Sequence, residues 1–290
     1  MLHAVGCDKQ LSIYPYVPTL YPSSVLEAEL EYLARHFTVV PLQRIAEGHR
    51  TGKLGRSREI ALTFDDGLRN NITSGYPILR RLGLPATFFV CPGLIETGRW
   101  QWAYESASRL IQLSQEKRVD VCRRLGSPTN EVPGVMRWMT SLDTPTRMGI
   151  GERLREATPD FAPTRDQCHI FDTMTWQDLR SLDPALITVG SHSMNHPILS
   201  NTDPKQLITE IVESRRVLEK KLLRPIDYFC YPDGAFNDVA VDLVRQHYRA
   251  AVSTRPGFVL PTDDIYSLPR IGAGDEPLHD LAWRLHRPTS

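Results

Sequence analysis

At 290 residues, 41% of them hydrophobic, the chain is long enough for one large α/β domain or two small ones. Its 34 basic and 34 acidic side chains cancel, so no overall charge argues for nucleic acid or an acidic membrane surface as a partner. The five cysteines (Cys7, Cys91, Cys122, Cys168, Cys230) are scattered, with no CxxC pair; this is neither a disulfide framework nor a zinc ribbon, and the odd count suits a reducing compartment.

No run approaches the roughly 18 continuous apolar residues of a membrane-spanning helix. The opening "MLHAVGCDKQ" lacks the basic start and apolar core of a secretory signal, so a cytoplasmic location is expected. The basic stretches "RSR" (56–58) and Arg215–Lys221 read as solvated faces.

In chain order, "SSVLEAELEYLARHF" predicts a helix, with Ser24 and Glu27 spaced as a capping box and Leu26, Leu30 and Leu33 on one face. "TVVPL" reads as a strand, and "EIALTF" (Glu59–Phe64) as a short apolar strand. "NNITSGYPILRRLG" predicts a helix closed by Gly83, and "PATFFV" another strand. "ALITVG" (Ala185–Gly190) is a strand. Asp203 and Pro204 start a helix whose Leu207, Ile211, Leu218 and Leu222 share a face and which Pro225 follows. "DYFCYP" is a strand, "NDVAVDLVRQHY" a helix capped by Asn237, and "AAVST" a strand.

Alternating strands and helices predict a parallel sheet covered by helices. The expected fold class is α/β: a distorted (β/α) barrel, complete or incomplete in its closure, forming a single domain over 1–290. From 99 to 175 the rhythm lapses into polar, helical sequence, which predicts a helical insertion.

Three polar clusters follow predicted strands: Asp65–Asp66 after Phe64, "SHSMNHP" after Gly190, and "YPDG" (Tyr231–Gly234). In β/α folds such ends gather on one face, where ligands bind. His192 and His196 with one carboxylate make a catalytic zinc ligand set. Neighbouring residues at a strand end diverge, so one Asp is expected to be a ligand and the other free to move protons. Taken singly, Asp-Asp-Gly is a solvated turn, HxxxH a surface pair, and YPDG a β-turn; the common placement favours a site. His36, His49, His169, His247, His279 and His286 lack that context, and Cys91 and Cys230 read as buried small hydrophobes.

"LTFDDG", "GSHSMNHP" and "YFCYPDG", in this order, resemble the motifs of the polysaccharide deacetylase family, the NodB-homology carbohydrate esterases; "LPATFFV" and "LPRIG" (Leu268–Gly272) fit as well. The resemblance runs over about 1–275 outside the insertion. It implies a distorted (β/α) barrel that hydrolyses acetyl groups on saccharides with one divalent metal ion, Zn2+ being the first choice.

By this resemblance Asp66, His192 and His196 are the metal ligands and Asp65 is the general base. A backbone N–H of the Tyr231–Asp233 turn would face the oxyanion. Where many members carry an arginine in the third motif, this chain has Cys230. Arg270 of "LPRIG" is expected to replace it and orient Asp65. No clear counterpart of the late Leu-x-His acid is found; His3 of "MLHAVG" is preferred to His279 as the acid.

Trp100, Trp102 and Tyr104 open the insertion beside the same face. They are expected either to stack on sugar rings or to anchor the insertion. The expected substrate is an N-acetylated saccharide, small or lipid-linked. The alternatives are an amidase acting on a non-carbohydrate C–N bond, and an inactive carbohydrate-binding relative.

Overall fold

In the main sheet, short apolar runs become strands that are largely buried on both faces, as a parallel sheet covered by helices requires. The computed structural model describes residues 1–6, 20–54, 58–273 and 277–286. Cys7, and Arg56 and Ser57 of the "RSR" stretch, lie outside the described residues.

Two small parallel ladders come first: β1 (Ala4–Gly6) with β2 (Leu20–Pro22), and β3 (Thr38–Val39) with β4 (Glu59–Ile60). The main sheet holds β5 (Leu62–Phe64), β6 (Ala86–Val90), β7 (Ile187–Ser191), β8 (Tyr228–Cys230), β9 (Ala250–Pro256) and β10 (Leu268–Arg270). These six lie side by side in sequence order, all parallel, as a curled half-barrel. Residues 1–2 link its two edges. Leu2 N–H donates to Thr63 O and Asp65 N–H to Leu2 O, while Ala273 N–H donates to Met1 O, each at 2.9 Å.

Most expected elements form, with shifts that have local causes. The strand expected over Glu59–Phe64 divides at Ala61, because β4 pairs with β3 while β5 pairs with β6. "TVVPL" yields only Thr38–Val39, since Pro41 caps the helix Leu42–Arg50 and carries no N–H for a ladder. The expected strand at Ala185–Gly190 runs instead over Ile187–Ser191; Asp183 O accepts from Leu186 and Ile187 N–H and holds the preceding residues in a turn.

The Ser24–Glu27 capping box is not formed. The helix Ser23–His36 has Pro22 at its cap, two residues before the expected cap, which places Ser24 inside the first turn. The helix after β5 begins as a π-turn (Asn71–Gly75), continues as Tyr76–Leu82, and ends at Gly83 in the left-handed conformation, φ 66°.

Between β6 and β7 the insertion contributes the helices Trp102–Gln112, Gln115–Leu125, Val132–Ser141, Thr144–Ala157 and Arg165–Phe171. It has its own apolar centre, with Leu110, Val135, Met139 and Leu154 all buried. Among the described residues no helix is long and apolar enough to cross a membrane.

Candidate active site

Phe64 ends β5 in the core, and the next two residues turn to opposite neighbours. Asp66 and Gly67 both adopt left-handed backbone (φ 72° and 64°), which Asp tolerates better than most residues. Asp65, 1% exposed, receives Arg270 Nη1 on Oδ1 at 2.8 Å and Nη2 on Oδ2 at 2.7 Å, a bidentate pair. Arg270 is itself fixed by Nε–H to Ser253 O (2.8 Å), by Nη1 to Thr63 Oγ1 (3.0 Å), and by Cys230 Sγ at 3.1 Å from Nη2. Burial alone would raise the Asp65 carboxyl; the guanidinium more than reverses this and keeps it well below the usual carboxylate range.

Asp66 Oδ1 instead lies 3.4 Å from His192 Nε2 and 3.2 Å from His196 Nε2. The three side chains are buried, and their facing atoms lie within 4.8 Å of one another. His192 Nδ1 is 2.8 Å from the Cys230 carbonyl, which can only accept, so Nδ1 donates there and Nε2 is the nitrogen turned to Asp66. That donor set and tautomer fit a divalent ion.

The loop carrying the histidines is tightly built. Ser193 and His196 have positive φ (65° and 58°), and Ser193 Oγ accepts from His196 N–H at 3.0 Å. Buried Glu210 accepts from Met194 N–H (2.9 Å), Asn195 N–H (2.8 Å) and Asn195 Nδ2 (3.0 Å). Gly93 N–H donates to Met194 O, and a Cβ at 93 would stand 2.3 Å from Asn195 Oδ1 and 2.8 Å from Met194 O. Only glycine fits there.

Asp65, His192 and Cys230 form a second metal-like group. It is the weaker candidate. Burial holds the Cys230 thiol well above its ordinary value, so it stays protonated, while both Asp65 oxygens already bind Arg270.

The sequence model described as polysaccharide deacetylase matches residues 53–252, more than half of the chain. The chain belongs to the polysaccharide deacetylase family. As a family member it is similar to the Streptococcus pyogenes deacetylase PplD, solved with acetate, at 17% identity over 99% of this chain and 96% of that one, with a TM-score of 0.68. IcaB from Ammonifex degensii gives 15% identity, 92% and 91% coverage, and a TM-score of 0.59. A Bacillus subtilis (strain 168) protein assigned as a polysaccharide deacetylase, YxkH, is 22% identical over 99 residues, which span 34% of this chain and 36% of that protein.

In this deacetylase-family chain the structure gathers Asp65, Asp66, His192, His196, Arg270 and His3. His3 Nε2 stands 3.8 Å from Asp65 Oδ2, and Asn71 Nδ2 donates to the His3 carbonyl at 2.6 Å. Burial lowers the His3 pKa despite the opposing pull of Asp66 and Asp65. His279 lies in the helix Leu278–His286 with an 80% exposed side chain.

Other expectations need correction. Tyr231 is wholly buried, its hydroxyl donates to Tyr266 O (2.8 Å), and its N–H donates to Val252 O (3.2 Å); neither group is available to substrate. Pro232 has no N–H and Gly234 N–H donates to Tyr231 O, which leaves exposed Asp233 as that turn's candidate donor. Trp100 is a core residue, packed on Phe171 and Phe161 with Nε1 donating to Asp172 Oδ1 at 2.9 Å. Buried between these rings, it anchors the helices that follow β6 rather than facing solvent. Trp102 is half-buried against the insertion's core with the Arg147 guanidinium 4.8 Å from its ring.

Four residues support the site in ways their place in the sequence does not announce. Cys230 is more than a buried hydrophobe, since its thiol touches Arg270 and its carbonyl sets the His192 tautomer. Glu210 supports the histidine loop from within a helix, where no local signal marks it. The Gln101 amide lies 3.0 Å from His196 Nδ1, and the Tyr104 hydroxyl donates to Asp66 Oδ2 at 2.7 Å. Only Tyr104 carried a signal, its place in the Trp-x-Trp-x-Tyr run.

Proposed function

We propose that this protein hydrolyses the acetamide of an N-acetylated saccharide, using one divalent ion, Zn2+ by preference, held by Asp66, His192 and His196. One observation carries the reading: adjacent carboxylates are committed to different partners, Asp65 to a guanidinium and Asp66 to two imidazoles. When bound, the ion supplies electrophilic polarisation of the acetyl carbonyl and a more acidic water.

Asp65, ionised and held in plane by Arg270, accepts a proton from the attacking water. Its low basicity means that orientation, more than proton affinity, is what Arg270 provides. The carbonyl oxygen gains charge as the C–O bond forms, and the Asp233 N–H is the backbone donor suited to it. The C–N bond then breaks, giving acetate and an amine that must take up a proton. His3, kept neutral by burial and 3.8 Å from Asp65 Oδ2, can receive the proton from Asp65 and deliver it to the leaving nitrogen.

Acetate release from N-acetylchitooligosaccharides tests the reading, measured as purified, after chelation, and after zinc is restored. The expected outcome is turnover lost on chelation and recovered with zinc. Bound zinc without acetate release from any sugar would favour an amidase acting on another C–N bond. Absence of both zinc binding and turnover would favour a carbohydrate-binding protein.

A further inference from the structure

We infer that Tyr104 is a positioning residue for Asp66, and that through it the insertion sets how tightly the divalent ion is held. The inference rests on the proposed role of Asp66 as a ligand. Asp66 has two oxygens and the imidazoles face only one of them. Oδ1 points to His192 and His196, while Oδ2 accepts the Tyr104 hydroxyl at 2.7 Å. The carboxylate torsion is broad and roughly two-fold, so a donor fixed on one oxygen selects the presentation of the other.

The hydroxyl is itself fixed. The Tyr104 ring stacks on Phe171, with centroids 4.9 Å apart and planes 19° from parallel, and Phe171 is 1% exposed. Phe171 packs on Trp100 in the same small cluster. Rigid ring packing, rather than a flexible stem, therefore sets where the O–H points.

The insertion is also fastened to the turn that carries Asp66. Met174 N–H donates to Gly67 O (2.9 Å), Arg69 N–H to Asp172 O (2.7 Å), and Asn70 Nδ2 to Ile170 O (2.7 Å). Trp100 Nε1 reaches Asp172 Oδ1 and ties the two ends of the insertion together. Gln101 lies three residues before Tyr104, at the start of the same helix, and contacts His196. Two of the three ligand side chains are thus braced by one helix start. Hydrogen-bond partners behind metal ligands typically change affinity by about 10–100-fold when removed.

Tyr104→Phe keeps the ring and deletes only the hydroxyl. The test is the zinc dissociation constant, measured by competition with a chromogenic chelator, for wild type, Tyr104→Phe and Asp66→Asn, with a melting curve of each metal-free protein. The expected result is zinc binding weakened about 10–100-fold in Tyr104→Phe, with metal-free melting unchanged, and abolished in Asp66→Asn. If Asp66→Asn loses zinc and Tyr104→Phe binds it like wild type, the positioning role is overturned while the ligand reading stands. If Asp66→Asn binds zinc like wild type, the ligand reading itself fails. A large fall in metal-free melting for Tyr104→Phe would make the hydroxyl a structural contact and overturn the inference.

Discussion

Arg270 donates to both carboxylate oxygens of Asp65, at 2.8 and 2.7 Å, from a position 205 residues later in the chain. β10 delivers the guanidinium and β5 the carboxylate, on two strands at opposite edges of the sheet order. Residues 1–2 join those edges, so the contacts that tie the half-barrel together also lie beside the Asp65–Arg270 pair. Cys230, in the third motif, fills the side of the same guanidinium without replacing its charge.

Removing the cation should therefore destabilise the fold. Arg270→Met leaves Asp65 buried without its partner, and breaking such a pair costs about 3–5 kcal/mol. Urea unfolding should show that loss. Arg270→Lys, which has no planar fork, should recover stability in part and activity poorly. Wild-type stability in Arg270→Met would mean that the pair is marginal.

The pair also predicts an acid limit. The folded Asp65 carboxyl lies below its unfolded value of about 3.9, so the stability it contributes is complete above that pH and is lost as pH falls through the folded pKa. The melting difference between wild type and Asp65→Asn should be flat from about pH 5 to 8 and shrink below about pH 4. A difference that shrank in the neutral range would point to another group.

Asp65→Asn keeps the shape and removes the proposed base. Zinc content should match wild type while kcat falls by about 10²–10⁴. Loss of zinc in this variant would reverse the division of labour between the two carboxylates.

His192→Ala and His196→Ala should each abolish zinc retention by elemental analysis. Far-UV circular dichroism should stay close to wild type, because both residues lie at a strand end and loop rather than within the apolar centre. Equal zinc in wild type and both variants would refute the ligand set.

Trp100→Phe should lower stability by about 1–3 kcal/mol through loss of the bond to Asp172, with KM for an N-acetylated sugar unchanged. An unchanged Tm beside a raised KM would return this residue to the substrate.

The sequence by itself determined the strand–helix alternation, the helix-rich stretch between β6 and β7, and the placement of three polar motifs after strands. Those features are local: apolar period, Gly and Pro stops, and the rule that parallel strands present their carboxyl ends on one face. That Asp65 and Asp66 part was also expected, but from extended backbone; in the structure Asp66 is left-handed (φ 72°), and that turn sends it to the histidines. Arg270 was singled out only through the family resemblance, because nothing near residue 270 names Asp65. Tertiary structure alone decided which groups support the site. Tyr104 on Asp66, Gln101 on His196, the Cys230 carbonyl behind His192, and Glu210 beneath the loop all join separate elements. It also buried Trp100 and Tyr231, whose aromatic character suits a sugar face and a core equally well. Which of the two an aromatic ring meets is set by how distant segments pack around it, and that packing leaves no periodic mark in the chain.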